Sequence, residues 1–351
     1  MFKDNAVNVG IIGCGSITMQ RHAPEYHANV NARVSGFYDS RPERAEEMVR
    51  SYGGKVYDSY EAMLADQCID AVSVCTSNAY HAPITIAALK AGKHVLCEKP
   101  MAVSIEDAVQ MTETASETGK YLMVGHNQRF AAAHIKAEKI LSSGELGRIL
   151  TFSTSFSHKG SEMWGIEKGT HSWFFNKKEA IFGVLGDLAI HKVDLLRWLT
   201  KDEINEVAAF SATLDKSDSN GNLIGVEDNV ICLLKTAGGI MGTMSVSWTN
   251  YGEEDNSTIL YCSKGVLKIY HQAEFPLEII KKDGEKAYFK IGAIQTNTNQ
   301  TNSGVIDAFI ESIVKGIPPK LSGQEALEAM KVISACIESS DFGRTVKIKY
   351  I

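Results

Sequence analysis

The sequence predicts an α/β fold with two parts. The first is a doubly wound parallel sheet, and the second is an α+β domain with a large open, mostly antiparallel sheet. In the first 125 residues apolar strand-like runs alternate with helix-like stretches, and between residues 204 and 291 β runs with a period of two follow one another. A length of 351 residues suits two domains. We place the N-terminal domain at residues 1–125 and the second domain at 126–351.

The first part repeats a strand–helix–strand unit with short linkers. Such units form right-handed crossovers and a parallel sheet, and near-continuous apolar strands fit a sheet that is covered on both faces. The predicted strands are Val7–Ile12, Val34–Tyr38, Ala71–Cys75, His94–Cys97 and Tyr121–Val124. The predicted helices between them are Pro42–Tyr52, Pro83–Ala91 and Ser104–Thr118.

The second part begins with a predicted helix, Ala131–Leu141, and a strand, Ile149–Phe156. A region rich in aromatic residues and histidine follows up to Phe182, and Gly186–Leu199 is predicted as an amphipathic helix. The β runs beyond it suggest an antiparallel sheet. They include Val230–Lys235, Ile240–Trp248, Ile259–Cys262 and Val266–Tyr270, and two predicted helices, Gly304–Lys315 and Gly323–Glu338, close the chain.

Composition and charge argue against several classes of partner. The formal net charge is −6, so the chain has no basic footprint for nucleic acid. No apolar run reaches the ~18 residues that cross a bilayer, and polar residues before the first strand argue against a secretory signal. The seven cysteines are scattered without a CxxC pair, which is typical of free thiols in a reducing compartment. We expect a cytoplasmic protein that binds neither nucleic acid nor membrane.

The stretch "VNVGIIGCGSIT" ends a predicted strand in two glycines one residue apart. A dinucleotide fingerprint needs a strand, a glycine turn and then a helix whose first N–H groups receive the pyrophosphate. Gly13 would make the tight turn, and Gly15 would let the backbone approach the phosphates. Ser16 and Ile17 would open the helix. The third small position of the fingerprint is Thr18, which weakens the match, and the alternative is a buried strand with an ordinary glycine turn.

Asp39 follows the second predicted strand, about 20 residues beyond the glycines, where an acid accepts hydrogen bonds from ribose hydroxyls. A carboxylate at this place repels a 2′-phosphate and favours NAD over NADP. Arg41, two residues further on, could partly reverse that preference. The alternative is a plain turn in Asp-Ser-Arg-Pro. We expect Asp39, Ser40 and Arg41 to bind NAD, with NADP as the less favoured cofactor.

Two further loops follow predicted strands of the parallel sheet. Ligands bind at the carboxyl ends of such strands, so both loops face the expected cofactor cleft. One loop carries Glu98 and Lys99, and the proline after them restricts Lys99 by disfavouring the α region or through a cis bond. A solvated lysine in an ordinary turn is the alternative. The other loop is expected to border the nicotinamide ribose or to form a helix N-cap segment. Its candidate residues are Thr76, Ser77, Asn78 and His81.

Five elements occur in a recognisable order along the chain. They are the Gly13–Gly15 turn, Asp39, Glu98-Lys99-Pro100, "GHNQRF" at 125–130 and "GDLAIH" at 186–191. In this order they resemble the Gfo/Idh/MocA oxidoreductase family, which includes glucose–fructose oxidoreductase and inositol dehydrogenase. The resemblance spans nearly the whole chain. It implies a Rossmann domain joined to an α/β domain whose open sheet often forms the oligomer interface. It also implies that Lys99, Asp187 and His191 carry the chemistry.

The chemistry of these three residues agrees with that implication. Asp187 and His191 are four residues apart, so they share one face of a helix. A nearby carboxylate makes an imidazole more basic, and His191 could accept the proton of a substrate hydroxyl. Lys99 would hold the same oxygen and counter its developing negative charge, while Asp187 would orient the base or a neighbouring hydroxyl. The alternatives are a structural Asp–His pair or a metal site. No third ligand is evident, and we expect no metal.

The remaining substrate contacts are expected from the second domain. In the stretch that matches Gly125–Phe130 the family often has an aromatic residue and two basic ones, but here His126 and Gln128 depart and only Arg129 remains. We expect Arg129 to contact substrate and Gln128 to lie at the cofactor. His158 and Trp164 fall in the aromatic region before the catalytic helix and suit a polyhydroxylated ring. The alternative there is a surface loop whose aromatic side chains pack on the core or on a neighbouring subunit.

The sequence therefore predicts an NAD-dependent dehydrogenase that oxidises a secondary alcohol of a cyclic polyol or sugar, of the inositol or aldose kind. Two alternatives stand beside it. One is a non-redox member of the same family that uses bound NAD transiently, such as a glycosidase or an epimerase. The other is a dinucleotide-binding regulatory protein, against which the presence of all three catalytic candidates argues. An exposed sheet face predicts a homodimer or a homotetramer.

Overall fold

The computed structural model describes residues 6–292, 301 and 303–350. The packing of Cα atoms divides them into two compact units, each discontinuous in sequence. The first unit holds the described residues up to Asn127, Trp164–Lys168 and residues 301 and 303–328. The second unit holds Gln128–Met163, residues 169–292 and residues 329–350. The division at residue 125 stays a prediction.

The first unit contains a parallel sheet of six strands within its described residues, in the order β3-β2-β1-β4-β5-β6. The strands are β1 (Val7–Ile12), β2 (Ala32–Tyr38), β3 (Lys55–Val56), β4 (Ala71–Val74), β5 (His94–Cys97) and β6 (Leu122–Val124). The strand order reverses between β1 and β4, and in such sheets ligands bind at that switch, beyond the carboxyl ends of the strands. The predicted doubly wound sheet is confirmed.

The helices of the first unit pack against this sheet, and two of them begin at a serine whose hydroxyl caps the helix. The helices are α1 (Ala23–Ala28), α2 (Pro42–Tyr52), α3 (Tyr60–Ala65), α4 (His81–Lys90) and α5 (Ile105–Thr118). The Ser104 hydroxyl accepts the Asp107 N–H at the start of α5, and the Ser59 hydroxyl accepts the Ala62 N–H at the start of α3. Strand β3 and helix α3 were not predicted, because elements of two and six residues are too short to show a period in the sequence.

The second unit contains a mixed, mostly antiparallel sheet, and the predicted fold class is confirmed there too. Among the described residues the order of its nine strands is β14-β13-β12-β11-β7-β10-β9-β8-β15. The first five are β7 (Ile149–Ser157), β8 (Ile204–Ala212), β9 (Asn229–Thr236), β10 (Met241–Ser247) and β11 (Thr258–Cys262). The others are β12 (Gly265–Ile269), β13 (Leu277–Lys281), β14 (Lys286–Phe289) and β15 (Val346–Lys347). Only β7 and β10 pair in parallel within the described sheet.

Helices α6 (Ala132–Ser142), α7 (Lys177–Ala180) and α8 (Ile190–Thr200) also belong to the second unit. The predicted single helix over Gly186–Leu199 is wrong at its start, because a π-helical turn, Leu185–Ala189, precedes α8. Helices α9 (Val305–Lys315) and α10 (Gly323–Phe342) follow. Helix α9 docks on α1 within the first unit, where Asn29 donates a hydrogen bond to Asp307 at 2.7 Å.

One face of the second unit's sheet is apolar and open. Along β9 the side chains of Cys232 and Leu234 are buried, whereas Ile231 and Leu233 are each 61% exposed. Phe210 of β8 lies directly opposite Ile231 and is 81% exposed. Contiguous exposed apolar side chains of this size are uncommon on a protein surface. Within the described residues, no helix has both the length and the apolar character that crossing a bilayer demands.

Candidate active site

The glycine turn after β1 is tight because backbone from another strand lies against it. Gly13 has a φ of 93°, and a Cβ atom there would lie 2.6 Å from the carbonyl oxygen of Cys75. The Thr18 hydroxyl donates to the Gly13 carbonyl at 2.6 Å, so the residue that departs from the fingerprint ties the turn to the start of the helix. Only glycine fits at position 13, both in conformation and in space.

Gly15 differs from Gly13, because the space beside it is open. A Cβ atom built on it would meet no atom of the described residues within 4 Å. Ser16 and Ile17 next to it are half-buried, and a π-helical turn, Thr18–His22, follows directly. Open space at the second glycine, before the N-terminus of a helix, is the arrangement that admits a pyrophosphate. Gly13, Gly15, Ser16 and Ile17 therefore fit a dinucleotide.

Asp39 joins the end of β2 to this glycine turn. One of its carboxylate oxygens accepts the Cys14 N–H at 2.7 Å, and the other accepts the Arg41 N–H at 2.9 Å. Each carboxylate oxygen has a second lone pair, so ribose hydroxyls can still bind. The exposed guanidinium of Arg41 contacts the carboxylate of Glu167. Ser40 is exposed beside them. Their role in binding the cofactor stays a prediction.

Glu98 lies buried at the end of β5 and is held from two sides. Its Oε1 lies 3.1 Å from Nη1 of Arg21 and 2.9 Å from Nε2 of His22. Its Oε2 accepts the backbone N–H of Lys99 at 3.2 Å. Burial alone would raise the pKa of this carboxyl, but the hydrogen bond from His22 and the charge of Arg21 hold it well below its usual range. A Cβ atom at Gly125 would lie 3.0 Å from the same carboxylate, which explains the glycine of "GHNQRF".

The loop that carries Lys99 is fixed on its other side by His81. The Lys99–Pro100 peptide bond is cis, as the sequence analysis allowed. Nδ1 of the buried His81 ring lies 2.7 Å from the Pro100 carbonyl oxygen, and Nε2 lies 3.0 Å from that of Thr76. Burial lowers the pKa of His81. His81 thus ties the loop after β4 to the loop after β5. Ser77 and Asn78 lie between Thr76 and His81, Ser77 half-buried and Asn78 buried.

In the second unit Asp187 is held by a residue that the sequence analysis missed. Asp187 lies in the π-helical turn before α8, and its Oδ2 accepts the indole N–H of the fully buried Trp248 at 3.0 Å. Glu227 caps that turn, because its Oε1 accepts the N–H groups of Gly183 and Leu185 at 2.8 and 3.0 Å. Burial raises the pKa of Glu227. The turn is therefore held at its start by Glu227, and the Asp187 side chain within it is held by Trp248.

His191 lies in the first turn of α8 and is 8% exposed. Its ring centroid is 6.1 Å from that of Phe156, which is 5.9 Å from the ring of His158. The next residue, Lys192, points into the core and donates to the carbonyl oxygen of Asn256 at 2.9 Å, and burial lowers its pKa to about 7. Two adjacent residues of α8 therefore differ in role: Lys192 supports the core, and His191 is the candidate base.

The remaining candidates divide between the two units. Arg129 forms a buried bidentate ion pair with Asp194, at 2.8 and 2.5 Å. The amide of Gln128 donates to Asn256 at 3.4 Å, and Gln128 is buried in the second unit. His158 is half-buried there, whereas Trp164 belongs to the first unit. The cofactor role of Gln128 and the substrate roles of Arg129, His158 and Trp164 stay predictions.

Arg21, His22, Glu227 and Trp248 support the candidate residues but were not expected from the sequence. Each acts across a long separation, for example 77 residues between Arg21 and Glu98. No short motif records such a pairing. His22, shortly after the glycine turn, was the one residue nearby that could have indicated such a partner. A single histidine, however, is more often a core residue than a functional one.

Comparison with known proteins agrees with the geometry. An oxidoreductase family with an NAD-binding Rossmann fold matches residues 7–126, and the GFO/IDH/MocA C-terminal domain matches residues 134–268. The inositol 2-dehydrogenase of Rhizobium meliloti is 28% identical over 97% of this chain and 99% of its own. The aldose-aldose oxidoreductase of Caulobacter crescentus, solved with glycerol, is 26% identical with a TM-score of 0.83, over 98% of this chain and 100% of its own. A levoglucosan dehydrogenase solved with NADH has a TM-score of 0.87 over 99% of this chain and 100% of its own, and at 24% identity it shows the fold alone.

Replacement by alanine should have a different effect at each of the two glycines of the turn. Gly13→Ala should lower the free energy of unfolding by about 2 kcal/mol or more, because a Cβ atom meets the Cys75 backbone at a positive φ. Gly15→Ala should leave the melting temperature of the cofactor-free protein unchanged and raise the Kd for NADH at least about tenfold, because the methyl group occupies the phosphate approach. Thermal unfolding and fluorescence titration measure both. An unchanged Kd in Gly15→Ala contradicts the pyrophosphate assignment.

Proposed function

Because the chain belongs to the Gfo/Idh/MocA family of NAD-binding oxidoreductases, we propose that it oxidises a secondary alcohol of a cyclic polyol or sugar, of the inositol or aldose kind. The observation that carries the proposal is the pair of Asp187 and His191 among buried aromatic rings, with Asp187 fixed by Trp248. The named activities of the relatives support the substrate class. We place the protein in the cytoplasm, which agrees with its seven free cysteines.

The proposed mechanism uses three side chains of this chain. His191 accepts the proton of the substrate hydroxyl as the C–H bond breaks. Lys99 donates a hydrogen bond to the same oxygen and stabilises its growing negative charge, and the anchoring of its loop by Glu98 and His81 fixes its backbone. Asp187, oriented by Trp248, holds the base or a neighbouring hydroxyl. NAD, when bound, supplies the hydride acceptor.

The aromatic residues around Asp187 and His191 also suit a site for a polyhydroxylated ring. The indole of Trp248 packs at 6.4 Å from the ring of Phe174 and at 6.0 Å from that of Phe175. Phe156 lies on the His191 side of the same helix start. These buried rings keep water away from Asp187 and His191, which strengthens the polar contacts that these two residues make. The polar groups then select the hydroxyls.

The first test is a panel of inositols, aldoses and anhydrosugars with NAD, followed by the absorbance of the reduced cofactor. With at least one member of the panel, we expect more than one molecule of NADH to form per molecule of enzyme. Activity with NADP should be weaker. Product formation without net NADH would instead support the non-redox alternative. Binding of NADH with no turnover of any member would favour the regulatory one.

Replacement of the candidate base is the second test. His191→Ala should lower kcat by roughly 10²–10⁴, because a positioned general base contributes about that much. The Kd for NADH should stay the same, since the glycine turn lies in the other unit. His271→Ala, which removes an exposed histidine of the second unit, is the matched control and should keep full activity. A loss of less than about tenfold in a folded His191→Ala would reject the base.

We also propose a homodimer or homotetramer that covers the open face of the second unit's sheet, where Phe210, Ile231 and Leu233 are exposed. Ile231→Lys should raise the dissociation constant of the oligomer about thirtyfold, the loss expected for a buried interface anchor. Ile317→Lys is the matched control on an exposed apolar residue of the first unit. Sedimentation velocity over a dilution series measures the effect. A wild-type protein that is monomeric throughout the series would refute the proposal.

A further inference from the structure

Two arginines at the start of α2 share one acidic partner from a distant part of the chain. Arg41 precedes α2 and Arg44 lies in its first turn. The Arg41 guanidinium contacts Glu167, and Nη2 of Arg44 lies 3.4 Å from Oε1 of the same carboxylate. Glu167 belongs to Trp164–Lys168, which packs with the first unit although the chain on either side of it belongs to the second.

The place of these arginines gives the contact its meaning. In a dinucleotide-binding sheet the acid after the second strand addresses the ribose 2′-hydroxyl, and an arginine nearby accommodates a 2′-phosphate. Arg41 follows Asp39 by two residues and donates its own backbone N–H to it at 2.9 Å. Arg44 shares the Glu167 carboxylate with Arg41, which places its guanidinium group close to the same loop. Both guanidinium groups thus lie beside the expected ribose.

The charge balance differs sharply with and without Glu167. Asp39 and Glu167 together neutralise Arg41 and Arg44, so these four groups carry no net charge at pH 7. Without Glu167 the remaining three groups carry one positive charge, and both guanidinium groups can turn to a ligand. A 2′-phosphate carries nearly two negative charges, so it gains from that change, whereas a 2′-hydroxyl does not.

We propose that Glu167 is a specificity-determining residue that selects NAD over NADP by occupying the two arginines that a 2′-phosphate would otherwise bind. It acts as a carboxylate that stands in place of the phosphate, and it complements the direct repulsion by Asp39. The side chains of Arg41 and Glu167 are 49% and 43% exposed, so a ligand can compete with Glu167 for the arginines. Ion pairs this exposed are weak, and the expected effect is a moderate change in preference rather than a full switch.

The test compares the Kd for NADP and for NAD in four proteins by isothermal titration calorimetry. They are the wild type, Glu167→Gln, Glu167→Gln combined with Arg41→Ala and Arg44→Ala, and the control Glu47→Gln. Glu47 is an exposed acid of α2, so its replacement changes the net charge equally without freeing either arginine. Glu167→Gln should lower the ratio of the Kd for NADP to that for NAD about fivefold, the size of one exposed ion pair. The combined variant should lose that gain, and Glu47→Gln should show none.

Three results would overturn the proposal. An equal fall of the ratio in Glu47→Gln would mean that net charge alone is responsible. A gain that survives removal of both arginines would mean that Glu167 acts through another group. If both Kd values rise by the same factor in Glu167→Gln, so that their ratio stays at the wild-type value, Glu167 only shapes the loop. Because both Kd values are binding measurements, they do not depend on whether the proposed alcohol substrate is correct.

Discussion

The candidate residues of the first unit depend on the contacts of the buried Glu98 carboxylate with Arg21 and His22. This carboxylate is an ion that has lost most of its water, and it is stable there because Arg21 and His22 supply charge and hydrogen bonds. The network continues from His22 to the Ser73 hydroxyl at 3.1 Å and from there to the Tyr26 hydroxyl at 2.7 Å. These contacts join the first helical segment, β4 and the end of β5 under the sheet edge where ligands bind. Lys99 directly follows Glu98, and its backbone N–H donates to the Glu98 carboxylate.

A similar local arrangement supports the candidate residues in each of the two units. Each arrangement begins with a π-helical turn, Thr18–His22 in the first unit and Leu185–Ala189 in the second. A π-helical turn inserts one extra residue, which redirects the side chains around it, and such turns are common at functional sites. In the first unit the turn brings both Arg21 and His22 to Glu98. In the second it carries Asp187, whose carboxylate is then fixed by an indole. Rigid supports of this kind position a catalytic group more accurately than a loop does.

The sequence predicted the fold class and most long elements, because each long element shows its period over many residues. The strands Val7–Ile12 and His94–Cys97 and the helix Pro42–Tyr52 agree with the structure at both ends. The short elements and the π-helical turns were missed, because one inserted residue leaves no trace in a hydrophobic pattern. The motifs predict Lys99, Asp187 and His191 as the catalytic residues, and that role stays a prediction. Their supporting partners could not be predicted, since a pairing such as Asp187 with Trp248 is set by tertiary packing alone.

Asp39 shows why cofactor preference cannot be assigned to one residue by its position. Its carboxylate accepts two backbone N–H groups, one from the glycine turn and one from Arg41, so it organises the loop before any ribose arrives. Replacing Asp39 would release the turn and remove the proposed ribose contact together, so a loss of NAD affinity would report both effects. Within the described residues, the ion pairs of the Glu167 side chain go to the guanidinium groups of Arg41 and Arg44. A change there alters the charge that the cofactor meets while it leaves the backbone of the glycine turn in place, which makes Glu167 the cleaner probe of how this site tells a hydroxyl from a phosphate.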